Sequence, residues 1–268
     1  MKNMFGRVVL ITGGSKGIGR ETAKRFAESH AQVIITGRRR EELEKTASEI
    51  NAQFGKCDFF QGDVTSIPDC RRIVEAVLEK YHRLDVLINN AGMSMRGLFA
   101  ETDLDLFRKI VDINFLGAVN MTKFALPALI ESQGSVLFVS SLSGLKGLPG
   151  IAPYGTAKMA LTGFSESLRA EIDHHHVHVG IVYVGFTEND EDKTIYSASG
   201  EQVPFRREKN DDSQEHVARI LYRVVEKRRA VVYLTALGKV TQFVYRIFPK
   251  LSGFLLRKYA LKSGRYGK

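Results

Sequence analysis

The chain has 268 residues, 44% of them hydrophobic and 26% charged, with 24 glycines and no tryptophan, a composition suited to a globular protein with a substantial core. Its net charge of +9 argues against a nucleic-acid footprint once it is located: eight basic and no acidic residues fall in 239–268, and +9 less these eight leaves +1 for the rest. Two cysteines without metal-type spacing, Cys57 and Cys70, an N-terminus with no room for a signal peptide, and no run of eighteen apolar residues predict a cytoplasmic protein without a spanning helix.

From the N-terminus, β-branched apolar runs alternate with helix-like stretches. "VVLITGG" (8–14) precedes a helical stretch to Glu28, "QVIITGR" (32–38) precedes "REELEKTASEI", and "CDFFQGDV" (57–64) precedes "DCRRIVEAVLEKY". "LDVLINNAG" (84–92) leads to a helix around 103–130, "GSVLFVSS" (134–141) to one from about Pro153 to Asp173, and "HVGIVYVG" (178–185) follows. This alternation predicts an α/β fold, a parallel sheet covered on both faces by helices. No repeat or linker divides residues 1–238, which read as one domain. The polar stretch 185–212 has the length of a substrate lid, partly ordered.

"TGGSKGIG" (12–19) follows the first strand and opens the first helix. Gly13, Gly17 and Gly19 permit a tight turn and close approach of a phosphate, and the helix N-terminus offers unpaired N–H groups to it. A dinucleotide with a free ribose 2′-hydroxyl calls for an acid at the end of the second strand. The chain has Arg38-Arg39-Arg40 there, so Arg38 is expected to fork a 2′-phosphate, with Lys16 adding a second charge. The expected cofactor is NADP(H).

"YGTAK" (154–158) sets Tyr154 and Lys158 one helical turn apart on one face. Lowering a phenol from about 10 to about 7 takes roughly 4 kcal/mol, and a positive charge at about 4 Å in partly screened surroundings supplies about that much. Ser141, thirteen residues before Tyr154 at a strand end, can donate to a developing alkoxide. Tyr154 thereby becomes a workable acid/base.

In their order and spacing, TGGSKGIG, Asp63, "NNAG" (89–92), Asn114, Ser141 and the Tyr154/Lys158 pair resemble the short-chain dehydrogenase/reductase family over about residues 5–185. The resemblance implies a Rossmann-like, doubly wound sheet of seven parallel strands and hydride transfer to or from nicotinamide. It also implies roles: Tyr154 as acid/base, Lys158 holding the ribose, Ser141 binding the substrate oxygen and Asn114 in a proton relay. Asp63 and Val64 would contact adenine, and Ser15, Ile18, Arg39, Asn90, Ala91, Gly92 and Gly185 would line the cofactor cleft. Where the family commonly has Pro-Gly after the sixth strand, this chain has Val184-Gly185. Its expected threonine is displaced, Asn189 taking that place, so Thr187 is the candidate for the nicotinamide carboxamide. Homodimer or homotetramer formation is a further implication.

The consecutive histidines of "DHHHVH" (173–178) cannot all face one metal ion, no carboxylate or cysteine is spaced to join them, and the run reads as cationic side chains at a helix C-terminus. In the tail, 239–268, Val240, Phe243, Val244, Ile247, Phe248, Leu251, Phe254, Leu255 and Tyr259 form an amphipathic helical stripe, with a break expected at Pro249. Such a basic stripe either lies on the cytoplasmic face of an anionic membrane or packs on the body. By analogy with reductases of similar tail, the substrate would be a hydrophobic carbonyl compound: a 3-ketosphingoid base, a ketosteroid or a 3-oxoacyl chain. The rival reading is a non-catalytic NADP(H)-binding sensor or scaffold at a membrane surface.

Overall fold

In the computed structural model, the described residues are 4–205 and 212–235, with 244, 245, 247, 248, 250, 253 and 254 in the tail. Strands β1 (Val8–Thr12), β2 (Gln32–Gly37), β3 (Cys57–Gln61), β4 (Val86–Asn89), β5 (Ser135–Ser141) and β6 (His178–Val184) lie where the apolar runs place them, each somewhat shorter than its run. Between them run helices α1 (Gly17–Glu28), α2 (Arg40–Phe54), α3 (Ile67–Tyr81), α4 (Leu104–Val111), α5 (Gly117–Glu131) and α6 (Ala152–Ile172).

Sequence reasoning did not single out the remaining elements. A hairpin of β7 (Thr194–Tyr196) and β8 (Gln202–Pro204) lies inside the expected lid, and α7 (Gln214–Glu226) leads to β9 (Val231–Tyr233). Strand β9 has three residues after a cationic stretch, too short to read alone; its pairing of Ile181 with Val231 makes it a strand.

The main sheet has seven strands in the order β3-β2-β1-β4-β5-β6-β9, every pair parallel. Successive residues along a strand face opposite sides, so Val8 and Leu10 enter one core layer while Val9 and Ile11 enter the other. The first layer is covered by α3, α5 and α6, the second by α1, α2 and α7. Here α1 and α7 pack through Phe26 and Tyr222, with ring centroids 5.2 Å apart. The strand order reverses between β1 and β4, and ligands of open α/β sheets bind at the carboxyl ends beside such a point.

The stretch expected as one helix around 103–130 is α4 and α5 joined by a π-helical turn, Asp112–Leu116, which carries Asn114. Residues 104–131 are long and apolar enough to cross a membrane by length and composition, but half of the apolar window is buried in the molecule. Of the lid, 186–188 is tied to Asp212 and the hairpin to segment 94–97, with Arg96 N–H donating to Tyr196 O at 2.8 Å. Residues 206–211 of the lid, Pro249 and most of the tail's amphipathic stripe lie outside the described residues.

The histidine run is corrected in one respect. His178 is a buried residue of β6, its Nε2 2.9 Å from Arg229 O and its Nδ1 3.2 Å from Ser135 Oγ. Burial holds its pKa down at about 4, so it is a neutral core histidine and not a cation at a helix end. Among the described residues no cluster could hold a metal ion. Both thiols are buried, and burial pushes each up to about 12, which makes them inert.

Candidate active site

The glycine turn between β1 and α1 is built around two close approaches. Gly13 has φ +64°, and a Cβ at Gly19 would lie 2.1 Å from Gly13 O, so the turn closes only with glycine at these points. Asn90, just beyond β4, fastens it: its Nδ2 donates to Thr12 O at 3.0 Å and to Gly13 O at 3.1 Å. Thr12 Oγ1 accepts from the N–H groups of Asn90 and Ala91, both at 3.0 Å. Ser15 O accepts from Thr46 Oγ1 at 2.8 Å, which holds the far side of the turn to α2. Neighbouring strand ends thus set the mouth of the cleft.

At the other end stand the residues of β5 and α6. Ser140 Oγ donates to Lys158 O at 3.2 Å, locking α6 to the strand that presents Ser141. Ser141 Oγ accepts from Ser143 N–H at 3.3 Å. The Ser143 hydroxyl is buried without a hydrogen bond among the described residues. Lys158 is 5% exposed, and burial brings its pKa down to about 8. Its Nζ donates to Val139 O at 3.0 Å and lies 5.7 Å from the Tyr154 ring centroid. Tyr154 packs against a small apolar cluster of Met95, Leu106, Ile110 and Tyr196.

Asn114 joins the two ends. In the π-helical turn its Nδ2 donates to Met93 O and to Ile110 O, both at 2.9 Å, and its Oδ1 accepts from Met93 N–H at 3.3 Å. Such single π turns recur at functional sites because they redirect one side chain out of helical register. A Cβ on Gly92 would sit 2.7 Å from Asn114 Oδ1 and 3.5 Å from Lys158 Nζ, so this glycine lets the chain pass between the asparagine and the ammonium.

Gly13, Ser15, Gly19, Asn90, Gly92, Asn114, Ser141, Tyr154 and Lys158 line one cavity of about 520 Å³, together with Ile18, Arg38, Arg39, Asp63, Val64, Gly185 and Thr187. The arrangement fits a dinucleotide: a glycine cradle at one end, a cationic strand end beside it, and titratable groups at the other. Asp63 Oδ1 accepts from Thr65 N–H and Oγ1, both at 2.9 Å, which shapes the turn after β3. Arg38 sits beside Met93, with Nη2 3.7 Å from Sδ.

Lys16 departs from the expected arrangement. Its ammonium pairs with Glu42 at 2.8 Å and with Asp192. Partial burial opposes its charge, and the hydrogen bonds to Asp192 and Glu42 outweigh that and hold its pKa above the ordinary lysine value. Sequence reasoning also missed the acidic segment after Thr187. Asp190 Oδ2 accepts from Gly17 N–H at 3.0 Å, and Asn189, whose Nδ2 is buried without a hydrogen bond among the described residues, lines the same cavity. Thr187 Oγ1 donates to Gly185 O at 3.4 Å. In the sequence this run of acids belongs to the expected lid, 185–212, and nothing in its order points to the glycine turn.

A strand, glycine turn and helix at the switch point of a parallel sheet, facing a serine, a tyrosine and a buried lysine across one cleft, define a nicotinamide-dinucleotide oxidoreductase site. A family model described as short chain dehydrogenase matches residues 7–199. The chain belongs to the short-chain dehydrogenase/reductase family, and it is an oxidoreductase of that family. A relative in Dictyostelium discoideum, "Dehydrogenase/reductase SDR family protein 7-like", is 32% identical over 266 residues, covering 96% of this chain and 83% of that protein. "11-beta-hydroxysteroid dehydrogenase 1A" of Arabidopsis thaliana is 37% identical over 206 residues, 75% of this chain and 58% of that one. A solved short-chain dehydrogenase from Shigella flexneri, complexed with NADP, superposes with a TM-score of 0.76 at 26% identity, covering 87% of this chain and 98% of that chain.

Proposed function

We propose that this protein is an NADP(H)-dependent ketoreductase of a hydrophobic carbonyl compound, able to oxidise the corresponding alcohol in reverse. The observation that carries the reading is the convergence of Ser141, Tyr154 and Lys158 with the glycine turn and Arg38 on a single cleft. The Shigella neighbour's complex with NADP supports the choice of cofactor, as does the absence of a carboxylate at the end of β2.

NADPH, when bound, supplies a hydride to the substrate carbonyl carbon. Gly13, Ser15, Gly17, Ile18 and Gly19 would hold its pyrophosphate half, Arg38 and Arg39 its 2′-phosphate, Asp63 and Val64 its adenine, and Thr187 its carboxamide. Ser141 Oγ donates to the carbonyl oxygen and fixes its position. Tyr154 passes its phenolic proton to that oxygen as negative charge builds there. Below about pH 8 Lys158 is an ammonium, and its charge stabilises the phenolate left behind. Asn114, anchored in its π turn, keeps the segment after β4 against Lys158, the position from which it would serve a proton relay.

The cavity lining also carries Met93, Leu148, Ile151, Phe186 and Phe205. That lining supports a lipid-like substrate such as a 3-ketosphingoid base, a ketosteroid or a 3-oxoacyl chain, in keeping with the printed names of the hydroxysteroid dehydrogenase relatives. Ile247, Phe248 and Phe254 of the tail are exposed, which supports peripheral contact with the cytoplasmic face of a membrane. Leu116 and Met159, both exposed on the α5 and α6 side, would pair with a second copy in a homodimer or homotetramer.

The test is turnover of ketones of graded chain length by purified protein with NADPH and detergent. Specificity constants should climb with chain length; turnover confined to short polar ketones would overturn the lipophilic assignment.

A further inference from the structure

Helix α1 begins without a cap of its own, since the Lys16 side chain at its N-cap position makes no capping hydrogen bond. Its first N–H groups are the donors the glycine turn aims at an anion. A carboxylate from 173 residues away is already seated there: Asp190 Oδ2 accepts from Gly17 N–H at 3.0 Å. Its other oxygen accepts from Arg20 Nη2 at 3.1 Å and from Gln214 Nε2 at 3.3 Å. Two residues on, Asp192 pairs with Lys16, the cation expected to face the 2′-phosphate.

The chain is anchored on both sides of these acids. Upstream, Glu188 N–H donates to Asp212 O at 2.9 Å, and Glu188 Oε1 accepts from Gln214 N–H at 3.0 Å. Downstream, the β7–β8 hairpin is stitched to segment 94–97 beside Tyr154. Residues 189–192 are therefore a strap laid over the glycine turn, with the Asp190 and Asp192 carboxylates on the groups that a dinucleotide phosphate needs.

We propose that Asp190 is an internal stand-in for the cofactor's phosphate, so that the strap closes the nucleotide end of the cleft until NADP(H) displaces it. The proposal rests on the NADP(H) reading of the site. Two anions cannot share the Gly17 donor at hydrogen-bonding distance, so cofactor entry and strap release are one event. Because the strap continues into the hairpin beside Tyr154, that event also shifts the wall of the substrate end.

NADPH affinity of the full-length protein, measured by fluorescence titration, tests this with matched charge changes. Asp190→Asn and Asp190→Ala should each tighten NADPH at least fivefold, whereas Glu191→Gln, which removes one negative charge from the exposed neighbour, should change it less than twofold. Equal tightening in Asp190→Asn and Glu191→Gln would reduce the effect to general charge and overturn the proposal. So would weaker binding in the Asp190 variants, which would make Asp190 a cofactor ligand. Absence of saturable NADPH binding in every variant would instead remove the cofactor reading, and this proposal with it.

Discussion

Tyr154 and Lys158 come together because residues four apart on a helix share a face, and Ser140 then fixes that helix to the strand bearing Ser141. Removing the phenol oxygen should leave cofactor binding intact and take away the proton donor. Tyr154→Phe is therefore expected to bind NADPH normally while kcat falls by about 10²–10⁴-fold, the usual worth of a positioned acid; near-normal turnover would refute the role. Arg38 faces the cleft at the end of β2, where a carboxylate would favour a free ribose hydroxyl. Arg38→Asp should cost NADPH about tenfold or more in affinity relative to NADH, a charge-assisted hydrogen bond being worth ~1.5–3 kcal/mol. An unchanged preference would remove Arg38 from the 2′-phosphate site. These residues were legible in advance because their spacing carries the geometry. Asp190 was not, because its partner Gly17 is remote in sequence.

The strands were legible for a related reason: a strand buried on both faces must be apolar along most of its length, and β1, β2, β4, β5 and β6 are such runs. Strand β9 and the β7–β8 hairpin, at three residues per strand, carry too little pattern and exist through their pairing partners. The π turn at Asn114 is likewise invisible to periodicity, since it arises where the side chain takes the Ile110 and Met93 carbonyls. Strand β6 yields a pH prediction through His178. The folded chain holds this imidazole neutral down to about pH 4, while the unfolded chain protonates it below about 6.5. The unfolded state thus binds more protons between those values, and stability falls as pH drops through that window, by on the order of 3 kcal/mol at its lower end. Thermal melts of wild type should show this loss, and His178→Gln should flatten it. Equal slopes in the two proteins would mean that other groups dominate.

For the whole molecule, the division of charge predicts separable parts, a nearly neutral catalytic body and a cationic tail. Deleting 239–268 should leave a folded, NADPH-binding body and abolish pelleting with anionic liposomes. Undiminished pelleting would sink membrane contact through the tail, and an unfolded body would mean that the tail packs on it. Tyr245, whose ring lies 4.4 Å from Lys146 Nζ, marks where the tail meets the loop ahead of α6.

By itself the sequence determined the alternation of strands and helices, the glycine turn and the serine, tyrosine and lysine of the site. Each of these is a local pattern imposed by backbone sterics or helical spacing. Only the tertiary structure decided where the acidic strap rests, that Lys16 is already paired, and that His178 is a neutral core residue. Those outcomes depend on which distant groups meet and how much water is excluded around them, and neither quantity is written in the order of neighbouring residues.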